Sequence, residues 1–261
     1  ARTISGFIFA SEIKALTFYG ELDLSTDMQS FAEYLAFENY FSNRTLNKNI
    51  KLVEPSEIVK FSLQTNSIER KYFWRPDLNL GENYRDGNVY NKYVDVIESS
   101  VNRHLISDVP LGCYLSSGID SSSVVYWTSK KFKDSLRTYT GSFGMSGFYD
   151  ESTDAARIAK EFGCINCKIE ITSEDFKKNI KKILWHLDEP RVGMGVFSQY
   201  MVAQKAATEV KVILTGHGGD ELFAGYPVFK AIYGKQNFLG LILHSSFREL
   251  LFFVYFSVYP K

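Results

Sequence analysis

The chain has 261 residues, of which 45% are apolar, 23% charged and 15% aromatic. This balance excludes a disordered chain, a collagen and a disulfide-stapled miniprotein. The 30 basic and 30 acidic residues cancel, so the sequence lacks the clustered cationic excess that nucleic-acid binding needs. Three cysteines, Cys113, Cys164 and Cys167, are too few for an oxidised scaffold and predict a reducing, cytoplasmic location.

The first 75 residues predict a small mixed β/α region. Residues 4–10 have the pattern of a strand, and residues 28–40 that of a short helix. The segments 58–63 and 68–74 are predicted to pair as a hairpin, because a turn-prone stretch of four residues joins them.

Residues 76–87 are rich in Asn, Asp and Gly and are the best linker candidate. Beyond them, strands and helices alternate. The predicted helices cover 89–106, 121–131, 151–162, 174–187 and 197–209, and the predicted strands cover 109–115, 136–143, 166–171 and 210–215. Such alternation predicts an α/β fold, a doubly wound parallel sheet with helices on both faces. The domains are therefore predicted as 1–75 and 88–261, joined by the linker.

The segment 238–259 is very apolar, yet His244, Arg248 and Glu249 interrupt it. Its uninterrupted apolar run, 250–259, is about half the length of a bilayer crossing. We therefore predict a helix that packs against protein rather than a membrane span.

The loop after the first predicted strand of the sheet contains five serines around Gly118 and Asp120. The amides at the start of the following helix carry the positive end of its dipole, and serine hydroxyls add further donors. Gly118 is expected to allow a positive φ and a close approach of the backbone to a ligand. The loop is therefore predicted to bind phosphate or pyrophosphate. Asp120 fits beside such an anion when Mg²⁺ lies between them.

The loop after the last predicted strand, 215–220, holds three glycines and ends in Asp220. Glycines of this density indicate a sharp turn or a close approach of the backbone. If the two strands are neighbours, Asp220 faces Asp120 and becomes a second metal carboxylate. The alternative is a connecting turn whose acidic residues cap the next helix.

These segments resemble a known family. Residues 116–122 look like the pyrophosphate loop, Ser-Gly-Gly-x-Asp-Ser, of the N-type ATP pyrophosphatases. Residues 215–226 resemble the Ser-Gly-x-Gly-x-Asp-Glu-x-Phe-x-Gly-Tyr segment of glutamine-hydrolysing asparagine synthetases. Residues 9–16 are similar to the end of that family's glutaminase domain, and residues 149–152 and 188–190 match its recurrent positions.

The resemblance implies an adenine nucleotide alpha hydrolase-like fold that uses ATP and Mg²⁺. It implies that the aspartate side-chain carboxylate is adenylated and then attacked by glutamine-derived ammonia, which yields asparagine, AMP and pyrophosphate. It places Asp120 and Asp220 on Mg²⁺. The implied nucleotide and pyrophosphate residues are Tyr114, Leu115, Ser116, Ser117, Gly118, Asp120, Ser121, Ser122, Phe143, Thr215 and Gly216. A homodimer is compatible with the resemblance.

Two departures from the family pattern bear on the substrate and the extent of the chain. His217 stands where asparagine synthetases usually have a glutamate that assists ammonia attack, although a neutral imidazole can also act as a base. The family's N-terminal nucleophilic cysteine and its downstream lysine segment are missing, so we expect a fragment. The alternatives left open are an amidotransferase that acts on another carboxylate and an inactive nucleotide-binding fragment.

Overall fold

The structure is a computed structural model. It describes residues 1–3, 6–75, 89–145, 150–190, 195–227 and 229. These residues fall into two compact units. Unit 1 comprises the described parts of Ala1–Ser100, Gly141–Asp150 and Lys168–Glu209, and unit 2 those of Val101–Thr140, Glu151–Cys167 and Val210–Lys261. The predicted linker and the apolar segment 238–259 lie outside the described residues. The predicted domain boundaries stay a prediction.

The N-terminal part of unit 1 contains two short helices and a hairpin. The helices are α1 (Ile13–Thr17) and α2 (Met28–Phe37), and the hairpin strands are β1 (Glu57–Ser62) and β2 (Ser67–Tyr72). The register runs from Glu57 opposite Tyr72 to Ser62 opposite Ser67, which confirms the predicted hairpin. Helix α1 was not predicted, because five residues are too few to show a helical period.

The strand predicted at 4–10 is wrong. In the described part of this segment, Phe7 makes only an isolated bridge with Arg2. The physical reason is that this segment bonds to its own neighbours, since the Thr3 N–H donates to the Gly6 carbonyl at 2.8 Å and the Ile8 N–H to that of Ala1 at 3.0 Å. The apolar residues of this segment therefore pack without forming a strand.

The remaining elements follow the predicted alternation within a few residues at each end, except for the last, five-residue helix, which was not predicted. In chain order they are α3 (Val89–His104), β3 (Leu111–Tyr114), α4 (Ile119–Ser129), β4 (Arg137–Ser142), α5 (Ser152–Glu161), β5 (Ile165–Glu170), α6 (Ser173–Leu187), α7 (Gly195–Ala206), β6 (Val212–Leu214) and α8 (Gly219–Phe223). Among the described residues, none of these helices combines the length and apolar character needed to cross a bilayer.

Strands β3 to β6 form one sheet in the order β5-β4-β3-β6. Strand β3 is parallel to both of its neighbours. Strand β5 advances with β4 in the same sense, since Ile165 N–H donates to the Leu136 carbonyl and Ile171 N–H to that of Ser142. The chain thus moves outwards from β3 to β5 and then returns to the other side of β3. Right-handed crossovers turn such an order into the predicted doubly wound fold.

The strand order also determines where a ligand can bind. It reverses between β3 and β6, and ligands of doubly wound sheets bind beyond the carboxyl ends of the strands at such a switch point. The loops that follow β3 and β6 are the serine-bearing and glycine-rich loops of the sequence analysis. Beneath them, Cys113, Leu115, Val125 and Tyr139 are almost fully buried and form a rigid support. Burial raises the pKa of the Cys113 thiol to about 12, so this side chain packs as a neutral group.

Candidate functional site

The serine-bearing loop after β3 is held in shape by its own serines. The Ser116 N–H donates to Ser121 Oγ at 3.2 Å, and the Gly118 N–H donates to Ser116 Oγ at 3.2 Å. The two serine hydroxyls lie 2.9 Å apart. Ser116 and Ser121 therefore define the conformation of the loop, in addition to any contact with a ligand that the sequence predicted for them.

Helix α4 begins directly after this loop, with Gly118 at its N-cap. Gly118 has no side chain, so the first amides of the helix receive no side-chain cap. An anion is the natural partner of such amides. The expectation of a positive φ at Gly118 is wrong, because its φ is −67° and its ψ is 153°. An N-cap requires this extended conformation, and Ser117 likewise has no positive φ.

Ser122 lies in the first turn of α4. Its hydroxyl is buried and has no hydrogen-bond partner among the described residues. A buried hydroxyl without a partner is costly, and such groups often mark a site where another molecule supplies the missing bond. Together with the uncapped helix start, Ser122 makes this end of α4 suitable for a polyphosphate.

The glycine-rich loop after β6 packs directly onto the serine-bearing loop. A Cβ at Gly216 would lie 2.6 Å from Ser121 N, and a Cβ at Gly219 would overlap the Asp120 carboxylate. Gly218 has a φ of +95° and makes the turn into α8. The glycines therefore allow the two loops to touch. A ligand is not needed to explain them, although the sequence suggested a close approach to one.

This packing brings the two predicted metal carboxylates into one region. The Asp120 carboxylate lies against Gly219, the residue before Asp220. The pKa of Tyr226 is raised first by its hydrogen bond to Glu221, at 2.8 Å, and further by the negative charges of Asp220 and Asp120. Both carboxylates therefore act electrostatically on the same phenol.

The donor set fits Mg²⁺ only when a phosphate completes it. Within the described ranges, no three His, Cys, Asp or Glu side chains are grouped to hold a metal ion. Mg²⁺ is commonly bound through one or two carboxylates, water and substrate phosphates. Asp120 and Asp220 are the two carboxylates that would have to supply such a site, the first packed against Gly219 and the second against Gly225.

His217 is exposed in the same glycine-rich loop. Its backbone N–H donates to Thr215 Oγ1 at 3.1 Å. The pKa of the Glu221 carboxyl is lowered first by the hydrogen bond from Tyr226 and further by the charge of His217. His217 thus lies within electrostatic range of Glu221.

The residues predicted to flank the nucleotide differ in accessibility. Leu115 is 2% exposed, and its N–H and carbonyl are bonded to Tyr139 and Thr140, so it supports the site from below. Tyr114 is half-buried, and burial raises its pKa. Phe143 is 44% exposed and belongs to unit 1. The contact of Phe143 with a nucleotide stays a prediction.

One contact was missed at the sequence level. Glu151 lies at the N-cap of α5, and its Oε2 accepts a hydrogen bond from the Ser117 N–H at 3.2 Å. Glu151 belongs to the segment 149–152, which resembles the family pattern, but the resemblance implies no role for this residue. Periodicity could not reveal this contact, because it joins residues far apart in the chain.

The comparisons with known proteins identify the family. The family model described as asparagine synthase matches residues 92–251, which is more than half of the chain. The chain belongs to the asparagine synthase family. The match includes both loops and every residue that the sequence placed at the site.

Two curated relatives agree with this assignment. The chain is 34% identical over 223 residues to asparagine synthetase [glutamine-hydrolyzing] 1 of Bacillus subtilis, with 85% of this chain and 34% of the relative covered. It is 31% identical over 223 residues to a putative asparagine synthetase [glutamine-hydrolyzing] 2 of Methanocaldococcus jannaschii, with 84% and 43% covered. The chain therefore spans about a third to two fifths of the length of these relatives.

Among solved structures, the NH3-dependent NAD synthetase of Campylobacter jejuni matches with a TM-score of 0.34 and 17% identity. The match covers 52% of this chain and 58% of that protein. This similarity is too low to support a conclusion about the fold, which rests on the strand order described above.

Proposed function

We propose that this chain provides the ATP-binding, amide-forming part of an asparagine synthetase. The observation that carries the proposal is the packing of two loops at the switch point of the sheet. Gly216 and Gly219 of one loop lie directly against Ser121 and Asp120 of the other. Family membership and the predicted pyrophosphate loop both support this reading.

The proposed reaction is adenylation of the aspartate side-chain carboxylate, with pyrophosphate as leaving group. The uncapped amides of α4 and the Ser122 hydroxyl would bind the leaving pyrophosphate. Asp120 and Asp220 would hold Mg²⁺, which supplies charge neutralisation when bound. Such preorganised donors lower the barrier because they act on charge that develops in the transition state.

Amide formation then requires ammonia to attack the activated carboxylate. His217 is exposed in the glycine-rich loop, and its imidazole in the neutral form would accept a proton from the attacking nitrogen. Glutamine in the rest of a longer protein is the proposed ammonia source. We also propose a cytoplasmic location, supported by three cysteines that are all free thiols.

Release of pyrophosphate tests the proposal. The purified chain with ATP, Mg²⁺ and ammonium should release pyrophosphate when aspartate is added and should form asparagine. The matched control replaces aspartate by succinate, which has the same two carboxylates but no amino group. Nucleotide binding without pyrophosphate release under any condition would favour a catalytically inactive nucleotide-binding fragment.

His217 favours a second candidate, an amidotransferase that acts on another carboxylate. His217→Glu restores the residue that the resemblance leads us to expect at this position. If aspartate is the substrate, the variant should keep or raise asparagine formation, because a carboxylate can serve as the base in place of the imidazole. Complete loss of activity in a folded variant would indicate a different acceptor. Pyrophosphate release at the same rate with and without aspartate would indicate the same.

A further inference from the structure

The side chain of Glu151 is directed away from the helix that it begins. Glu151 is the N-cap of α5, yet it makes no side-chain hydrogen bond to the first amides of that helix. Acidic residues at helix starts usually serve these amides. Glu151 Oε2 instead accepts the Ser117 N–H at 3.2 Å, across 34 residues of sequence. The orientation of this carboxylate is therefore explained by the serine-bearing loop and not by α5.

Ser117 is one of the loop residues that the family resemblance assigns to pyrophosphate, and its backbone N–H precedes the α4 amides of our proposed function. A phosphate oxygen and a carboxylate oxygen are both anionic acceptors, and they repel each other when both lie within hydrogen-bond distance of the same N–H. One N–H can donate a strong hydrogen bond to only one of them. The Glu151 carboxylate must therefore compete with a bound polyphosphate for Ser117.

We propose that Glu151 competes with a phosphate oxygen for the Ser117 N–H and is displaced when a polyphosphate binds. This inference rests on the proposed function and deepens it, because it assigns a positioning role to a residue outside both loops. The contact keeps the Ser117 N–H in a direction that suits an anionic acceptor.

The geometry allows the displacement. Glu151 is exposed, so its released carboxylate returns to water without a desolvation cost. The bond length of 3.2 Å is at the long end of the normal range, and a phosphate oxygen can offer a shorter, charge-assisted bond. The exchange therefore costs little.

The test is binding of inorganic pyrophosphate, measured by calorimetry with EDTA present so that Mg²⁺ does not contribute. Glu151→Gln and Glu151→Ala should each bind pyrophosphate about fivefold more tightly than the unaltered chain, as expected when one like charge near a surface site is removed. The matched control is Glu161→Gln at the opposite end of α5, which makes the same charge change and should leave the affinity unchanged. Circular dichroism verifies that each variant is folded.

A second readout follows Ser117 itself. Its amide NMR signal should shift when pyrophosphate is added to the unaltered chain, and in Glu151→Ala it should be shifted before any ligand is added. The inference would be overturned if both variants bound pyrophosphate as tightly as, or more weakly than, the unaltered chain. It would also be overturned if the chemical shift of the Ser117 amide did not change when pyrophosphate binds. Binding that falls in the variants only when Mg²⁺ is present would make Glu151 a metal ligand and also overturn it. If the folded, unaltered chain binds neither pyrophosphate nor ATP, the proposed function fails as well.

Discussion

Asp120 combines three properties that suit a metal-binding carboxylate. It lies in the first turn of α4, where the helix dipole stabilises a negative charge. Its carboxylate packs against Gly219, and it acts together with Asp220 on Tyr226. A carboxylate in this position can hold a cation at the same helix end that attracts a polyphosphate, so each bound charge compensates the other.

Asp120→Asn tests this at the residue scale. The amide keeps the size of the carboxylate, so the fold should remain, but the negative charge proposed to bind Mg²⁺ is lost. We expect Mg²⁺-dependent ATP affinity to fall by at least about tenfold. ATP titrations with and without Mg²⁺ measure the effect, and Asp154→Asn, a surface carboxylate of α5, serves as control. Equal Mg²⁺ dependence in both variants would contradict the metal role of Asp120.

At the scale of elements, the site depends on how two strand-to-helix loops fit together. Helix α8 has only five residues and is bounded by left-handed residues, Gly218 and Ala224. Such a short helix has little stability of its own. Its position beside α4 therefore depends on the contact that Gly216 and Gly219 make with Asp120 and Ser121.

Gly216→Ala should separate the two loops. Its Cβ would lie 2.6 Å from Ser121 N and 2.7 Å from the Asp120 carbonyl carbon, and neither backbone atom can rotate away. We expect a loss of about 1–3 kcal/mol in the free energy of unfolding, together with weaker ATP binding. Urea unfolding and ATP titration measure both effects. Gly20→Ala is the control, since nothing lies within 4 Å of its Cβ. An unchanged unfolding midpoint for Gly216→Ala would contradict this prediction, because it would show that the two loops can move apart to accommodate the Cβ without a loss of stability.

At the scale of the whole chain, unit 1 joins residues from distant parts of the sequence. The Asp188 carboxylate accepts the Ile13 N–H at 2.6 Å and pairs with the Lys14 ammonium at 2.7 Å. The neighbouring Glu189 is buried and accepts the Leu46 N–H at 2.6 Å. Two segments that match the asparagine synthetase pattern, 9–16 and 188–190, are therefore bonded to each other.

This contact predicts a dependence of stability on pH. Burial raises the pKa of the Asp188 carboxyl, but the hydrogen bonds from Lys14 and the two amides outweigh it, so the net pKa is lowered. Because the pKa of Asp188 is lower in the folded chain than its value of about 4 in the unfolded chain, the carboxylate stabilises the fold at pH values above about 4. This stabilisation is lost as the pH falls through the pKa of the folded chain. Asp188→Asn should be less stable at pH 7 and lose less on acidification.

Thermal unfolding between pH 7 and pH 3 measures this effect. Asp154→Asn again serves as the control, because the pair of Asp154 with Arg157 is exposed and should contribute little. The same acid dependence in Asp188→Asn and in the unaltered chain would show that Asp188 does not hold unit 1 together.

Much of the fold was predictable because periodicity and turn chemistry are local properties. The hairpin of β1 and β2 and the alternation from α3 to β6 follow from the spacing of apolar residues and were predicted within a few positions. The failures are also local. Hydrogen bonding between Thr3 and Gly6 replaces the predicted strand, and α1 is too short to show a period.

The sequence by itself determined the α/β class, the two loops and the family, because these depend on residue types at fixed spacings. Only the tertiary structure decided that Gly216 and Gly219 make room for Ser121 and Asp120, and that Glu151 reaches Ser117. The physical reason is that such contacts join residues far apart in the chain. Their partners are selected by the order of strands in the sheet and by the space that each side chain leaves, neither of which a linear pattern records.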